Sequence, residues 1–176
     1  ENYGVHYIEV NLSGAQFMDD KLNELLSNRV KENNISPEFI NLEITETASV
    51  EAASMLEYNM HRLKACNFTF SMDDFGTGYS SLSYLKKLPV DVLKFDRTFL
   101  LSFTNNDGAL NKDAESVLEL LIDLSKTLKK ETVFEGVETI EQRDFLKSID
   151  CDQAQGFFYS RPLSESDFMN YLSEEK

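Results

Sequence analysis

Met72-Asp73-Asp74-Phe75-Gly76-Thr77-Gly78-Tyr79-Ser80-Ser81-Leu82 decides how this chain is read. Upstream of it, Asn67-Phe68-Thr69-Phe70-Ser71-Met72 is apolar and aromatic in the manner of a strand. Downstream, leucines at helical spacing run from Ser81 to Leu88 and stop at Pro89. Two adjacent carboxylates, Asp73 and Asp74, therefore sit where a strand gives way to a glycine-bearing loop. Neighbouring carboxylates repel unless positive charge lies between them. A divalent metal supplies it, because hard cations such as Mg²⁺ take oxygen ligands. Gly76 and Gly78 let the loop turn through backbone conformations that other residues resist. A solvated Asp-Asp pair at a strand end is the plainer alternative, and the rest of the chain decides between the two.

Outward from this stretch the pattern repeats. Residues 5–10 alternate as a strand and end at Asn11-Leu12-Ser13-Gly14. Asp19 or Asp20 then opens a helix with Leu22, Leu25, Leu26 and Val30 on one face. Residues 39–44 form a second strand before Thr45-Glu46-Thr47, and residues 50–65 a helix buried through Ala53, Leu56, Met60 and Leu63. Past Pro89, residues 92–95 are a fourth strand with the cation Lys94 inside it. Residues 104–112 read as loop, 116–129 as an amphipathic helix and 132–134 as a strand. Residues 140–149 read as helix, and 153–158 as a strand or strand end. Ser164 caps a last helix expected to bury Phe168, Met169 and Leu172. His6 and His61 read as a half-exposed strand residue and a solvent-side helix residue, not as ligands.

The bulk properties bound the function. The 176 residues suit one domain with a sizeable core. A net charge of −14 repels DNA and anionic membrane surfaces, so an anionic substrate needs metals or a placed Lys or Arg. The two cysteines, Cys66 and Cys151, lack metal-type spacing and are expected to be buried, reduced thiols. With no apolar run of membrane-spanning length and no signal-peptide pattern at Glu1-Asn2-Tyr3-Gly4, the expectation is a cytoplasmic protein. The abrupt entry into a strand predicts a fragment of something longer.

Strand and helix alternate throughout, which predicts parallel strands with helical crossovers. A chemically useful side chain falls at or near the C-terminal end of each strand: Asn11, Glu43, Asp73 with Asp74, Lys94, Glu135 and Gln155. In α/β barrels and doubly wound sheets that rim is where sites are built. Carboxylates with an amide oxygen suit Mg²⁺ or Mn²⁺. Two such ions can clamp the attacking and leaving oxygens of a phosphoryl transfer, with Lys94 steadying a phosphate or the water. The constellation predicts a metal-dependent phosphodiesterase or a related binder.

These residues resemble the EAL domain, the cyclic-di-GMP phosphodiesterase family of bacterial signalling. The matching pieces are Asn11-Leu12-Ser13, Glu43-Ile44-Thr45-Glu46, the stretch from Asp73 to Leu82, Leu88-Pro89-Val90-Asp91 with Leu93-Lys94-Phe95-Asp96, Glu135-Gly136-Val137-Glu138-Thr139, and Gln155-Gly156-Phe157 with Ser160-Arg161-Pro162. The resemblance implies an α/β fold of the TIM-like (β/α) barrel type. It implies that Asn11, Glu43 and Asp73 resemble ligands of a first metal. Asp73 would bridge to a second, with Asp74 in its sphere. Lys94 resembles the lysine that helps hold the hydrolytic water, and Glu135 a general base or second-metal ligand. Glu46 resembles the anchor of the loop after Asp74, which includes Gly76 and Thr77 and is implicated in dimerisation and metal binding. Glu138 and Gln155 resemble the remaining support. The reaction implied is in-line opening of cyclic-di-GMP to linear pGpG.

The chain departs from the family pattern as well. The Glu-Ala-Leu motif and the arginine shortly after it are absent. In the family they lie on the first two strands of an eight-stranded barrel. The expectation is therefore an incomplete barrel of about six strands with open edges, short of the ~250 residues of a full one. Asp150 stands where a helix-ending glycine is usual, and Phe95 where isoleucine is common. Weak or no activity is expected of this chain alone. The parent is expected to be a phosphodiesterase that forms homodimers. It would carry fused cyclase (GGDEF-type) or sensory domains, or a membrane tether. A non-catalytic cyclic-di-GMP receptor or protein-interaction module is the alternative.

Overall fold

A computed structural model describes residues 5–46, 53–77, 85–101, 103 and 111–174. Six strands, β1 (Ile8–Asn11), β2 (Ile40–Thr45), β3 (Thr69–Phe75), β4 (Val92–Phe95), β5 (Glu131–Phe134) and β6 (Gln153–Ala154), lie side by side in chain order. Every neighbouring pair is parallel. The crossovers carry α1 (Gly14–Phe17) and α2 (Leu22–Glu32) after β1, and α3 (Ala53–Ala65) after β2. They carry α4 (Thr98–Leu101) and α5 (Lys112–Leu128) after β4, and α6 (Ile140–Ser148) after β5; α7 (Glu165–Glu174) comes last. Tyr7, just before β1, donates from its hydroxyl to Gln153 Oε1 of β6 at 3.2 Å. The first and last strands thus approach one another, and the sheet is a half-barrel with helices outside.

Successive strand residues point to opposite sides of a sheet. One set, Leu42, Ile44, Phe70, Met72, Leu93, Phe95 and Phe134, is buried with Leu56, Met60 and Leu63 of α3, Leu118 and Ile122 of α5 and Leu146 of α6. Phe95 is the hinge of this layer. It stacks on Phe134 with centroids 4.7 Å apart and meets Phe75 and Phe99 edge-on at 5.7 and 6.1 Å. Such pairs add about 0.5–1.5 kcal/mol each beyond simple burial. The opposite set, Asn41, Glu43, Ser71 and Lys94, is equally buried but polar. A sheet wrapped this way keeps its chemistry inside and its hydrocarbon outside.

Several expectations need correction. Asp73 and Asp74 do not follow β3 but belong to it. Phe168 and Met169 of α7 are 45% and 41% exposed rather than buried. Leu25 is 52% exposed, and the buried face of α2 instead contains Asn23. Cys66 is exposed and Cys151 half-buried, both free. Neither Asp19 nor Asp20 caps α2 directly; Asp19 accepts from the Lys21 N–H one residue earlier. Lys112 begins α5 rather than ending the preceding loop, with Asn111 as its cap. The remainder of that loop, the glycine-rich turn past Thr77 and the start of the helix after it lie outside the described residues. Asp150 does adopt the left-handed backbone, φ 58°, that the glycine comparison anticipated.

Phe95→Ala is expected to lower the unfolding free energy by about 3–5 kcal/mol, since its ring joins three others. Leu25→Ala, on an exposed face, should change it by less than about 0.5 kcal/mol. Urea unfolding followed by circular dichroism checks both values.

Candidate metal centre

Register places the inner residues in rows. Asn11 of β1 lies opposite Glu43 of β2, and Glu9 opposite Asn41. Glu43 in turn lies opposite Ser71, and Thr45 opposite Asp73. Lys94 of β4, 3% exposed, reaches across this floor. Its ammonium donates to Glu135 at 2.7 Å, to Glu43 at 2.8 Å and to Glu9 at 3.2 Å. A buried charge is tolerated only when paired and hydrogen-bonded, and three carboxylates more than satisfy that need. Burial pulls the Lys94 ammonium down, but its bonds to Glu135 and Glu43 outweigh that and hold it above the usual lysine range.

Glu43, Asp73 and Glu135 each offer an oxygen, and these three oxygens lie within 4.8 Å of one another. The set is all oxygen, the donor type that Mg²⁺ and Mn²⁺ prefer. Its surplus of negative charge over Lys94 is what a divalent ion would offset. Glu43 is the most deeply buried of the three carboxylates. Burial pushes its carboxyl up to about 7, with Lys94 pulling the other way and Asp73 adding to the rise. These residues fit a divalent cation.

The loop after β3 is tied to the same place. Side chains of adjacent strand residues would diverge, but the ladder between β3 and β4 shifts register between Met72 and Phe75. Asp74 there takes φ 55°, a left-handed conformation that aspartate tolerates better than most residues. Burial raises its pKa, and the neighbouring carboxylates Asp73, Asp96 and Glu46 raise it further. Glu46, buried, accepts the Gly76 N–H at 2.9 Å. Gly76 has φ +90°, and a Cβ there would stand 2.8 Å from the Phe99 ring. Thr77 closes the turn, its hydroxyl and N–H both donating to Asp74 O. Gly136, with φ +72°, lets the chain after Glu135 pass Arg97, whose Cβ a glycine substituent would meet at 2.3 Å.

The structure thus gathers Glu43, Asp73, Glu135 and Lys94, with Asp74 and Glu46 beside them. Asn11 is exposed, next to Glu43 in register. Glu138 and Gln155 are exposed and lie outside the carboxylate group; Gln155 contributes backbone bonds to Phe134 and Val137. Glu9 was missed. Two residues before Asn11, it shares the inward parity of that candidate ligand, and this was the available signal.

Comparison with known proteins bears on this arrangement. The family model described as EAL domain matches residues 2–162. The chain belongs to the EAL domain family. Among relatives of this EAL chain is the bifunctional diguanylate cyclase/cyclic di-GMP phosphodiesterase MucR of Pseudomonas aeruginosa. It is 38% identical over 156 residues, 89% of this chain and 22% of the relative's length. The structure of the MucR phosphodiesterase in complex with c-di-GMP superposes with a TM-score of 0.81 at 36% identity, over 92% of this chain and 64% of that one. The EAL domain of Mycobacterium smegmatis DcpA gives 0.87 at 32% identity, over 96% and 73%. Klebsiella pneumoniae BlrP1, in its manganese/cy-diGMP complex, gives 0.79 at 25% identity, over 90% and 40%.

Mn²⁺ titrated into the metal-free chain is expected to bind, and Asp73→Asn or Glu43→Gln to weaken that binding by about 10-fold or more. A carboxyl near 7 must lose its proton to coordinate, so affinity should climb as pH rises through about 7 and level off above it. Calorimetry at several pH values reads both effects.

Proposed function

We propose that this EAL chain is the metal-holding part of a cyclic-di-GMP phosphodiesterase that yields linear pGpG. The observation that carries the reading is the close group of buried Glu43 with half-buried Asp73 and Glu135, two of which, Glu43 and Glu135, pair with Lys94. Glu43, Asp73 and Glu135, with Asn11 and Asp74 beside them, would hold Mg²⁺ or Mn²⁺. Such ions, when bound, offset the carboxylates and polarise a phosphodiester and the water that attacks it. Lys94 would steady the attacking water from within the floor, and Glu135 would take its proton. Glu46, through Gly76, fixes the loop that carries Asp74. Hydrolysis forms a bond from the water oxygen to phosphorus and releases a ribose 3′-hydroxyl. Glu138, Gln155, Gly76 and Thr77 support this rim.

Support comes from relatives named as phosphodiesterases and from the c-di-GMP complex of one of them. The Glu-Ala-Leu motif is absent, but Glu43, Asp73, Asp74 and Glu135, the carboxylates that the resemblance assigns within this chain, are all carboxylates still, which favours cleavage over sensing alone. The setting proposed is cytoplasmic, in a parent that carries a cyclase or sensory domain, as MucR does by name. No helix among the described residues is long and apolar enough to cross a membrane. Homodimers would form through the loop after Asp74 or an open strand edge.

The whole protein that carries this chain, given cyclic-di-GMP and Mn²⁺, is expected to release pGpG, and to stop when the metal is chelated. Asp73→Asn should lower kcat by about a hundredfold. Binding of cyclic-di-GMP without any linear product would make the protein a receptor and overturn the proposal. Sedimentation at high concentration tests the dimer; a monomer alone contradicts it.

A further inference from the structure

Lys94 has three carboxylate partners, yet only two of them, Glu43 and Glu135, belong to the group that can hold a metal. A cation in that group draws on the same two carboxylates that now accept from Lys94. It also places positive charge within a few ångströms of the ammonium, which it repels. Lys94 stands at 3–4% exposure, so its ammonium depends on its partners rather than on water. Something must keep it in place at the moment the site loads.

Glu9 is the group that can. It arrives from β1 on the inner face, on the floor below the metal group, and its Oε2 accepts from Lys94 at 3.2 Å. Its other oxygen, Oε1, lies 3.4 Å from the Ser71 hydroxyl of β3. Ser71 in turn donates to Asn41 Oδ1 at 2.7 Å, and Asn41 is 1% exposed. Glu9, Ser71 and Asn41 thus form a polar layer under the ligands, where many α/β barrels carry branched hydrocarbon. The layer touches Lys94 but supplies none of the grouped metal oxygens.

We propose that Glu9 is a positioning residue. It retains Lys94 at the floor of the site when divalent cations take Glu43 and Glu135. The proposal rests on the metal-dependent reading above. It assigns Glu9 a role through Lys94 only, with no contact to metal or substrate.

Selective ¹³C labelling of lysine gives the Lys94 Cε its own reporter, assigned by its loss in Lys94→Met. The 176-residue chain and its Glu9→Gln and Glu9→Asp variants are titrated with Mg²⁺, read by this resonance and by calorimetry. In the wild type, Mg²⁺ should bind while the Lys94 line stays single and distinct from exposed lysines. In Glu9→Gln, which is nearly isosteric, Mg²⁺ should bind within about threefold of wild type, but the Lys94 line should broaden or move toward the exposed lysines on loading. Glu9→Asp, which keeps the charge, should restore much of the wild-type behaviour. In the whole protein Glu9→Gln should lower kcat by about 10-fold with KM unchanged, the size seen when an outer partner of a site is removed. An unchanged Lys94 line in loaded Glu9→Gln overturns the role of Glu9 and leaves the metal reading standing. A collapse of Mg²⁺ affinity in that variant makes Glu9 a ligand and also overturns it. Absence of Mg²⁺ binding to the wild type removes the metal reading, and this inference with it.

Discussion

One ammonium group, that of Lys94, sits inside a curled parallel sheet and is held by carboxylates from β1, β2 and the residue that follows β5. It cannot lie there without them, and they cannot crowd together without it or a metal. This mutual constraint sets what the inner face of every central strand must contain. It also explains why the sheet turns its hydrocarbon outward: Leu42, Phe70, Leu93 and Phe95 have a dry partner only in the helices. The aromatic cluster around Phe95 then supplies the rigidity that holds strand ends at fixed separation.

The turn after β3 shows the same coupling between fold and site. An ordinary strand would send Asp73 and Asp74 to opposite faces. The slipped register and the left-handed Asp74 break that alternation. Backbone in sparsely populated conformations persists only where its surroundings over-determine it. Here Glu46 grips the Gly76 N–H from β2's end, and Phe99 closes over the glycine. The strain therefore links the metal group to the loop.

Much of this was legible in the residues. The alternation of apolar strands with leucine-spaced helices predicted the parallel sheet. The placement of polar side chains at strand ends predicted the rim, because parallel strands bring all their C-terminal ends to one side. Glu9 was harder. A glutamate alternating with isoleucine and valine reads as solvent-facing in a flat sheet, and only the curl turns that face inward. The fate of Asp74 depended on a register slip that no local pattern announces. The α7 helix misled for the opposite reason. Its apolar stripe is real, but Phe168 and Met169 stay 45% and 41% exposed.

Everything proposed for this protein turns on whether Glu43, Asp73 and Glu135 hold one cation above Lys94. Anomalous diffraction from crystals grown with Mn²⁺ tests it most directly. A manganese peak is expected within about 2.0–2.6 Å of oxygens from all three carboxylates, with Lys94 still against Glu9 beneath it. Manganese bound elsewhere, or crystals in which these carboxylates stay paired to Lys94 at saturating metal, would contradict it.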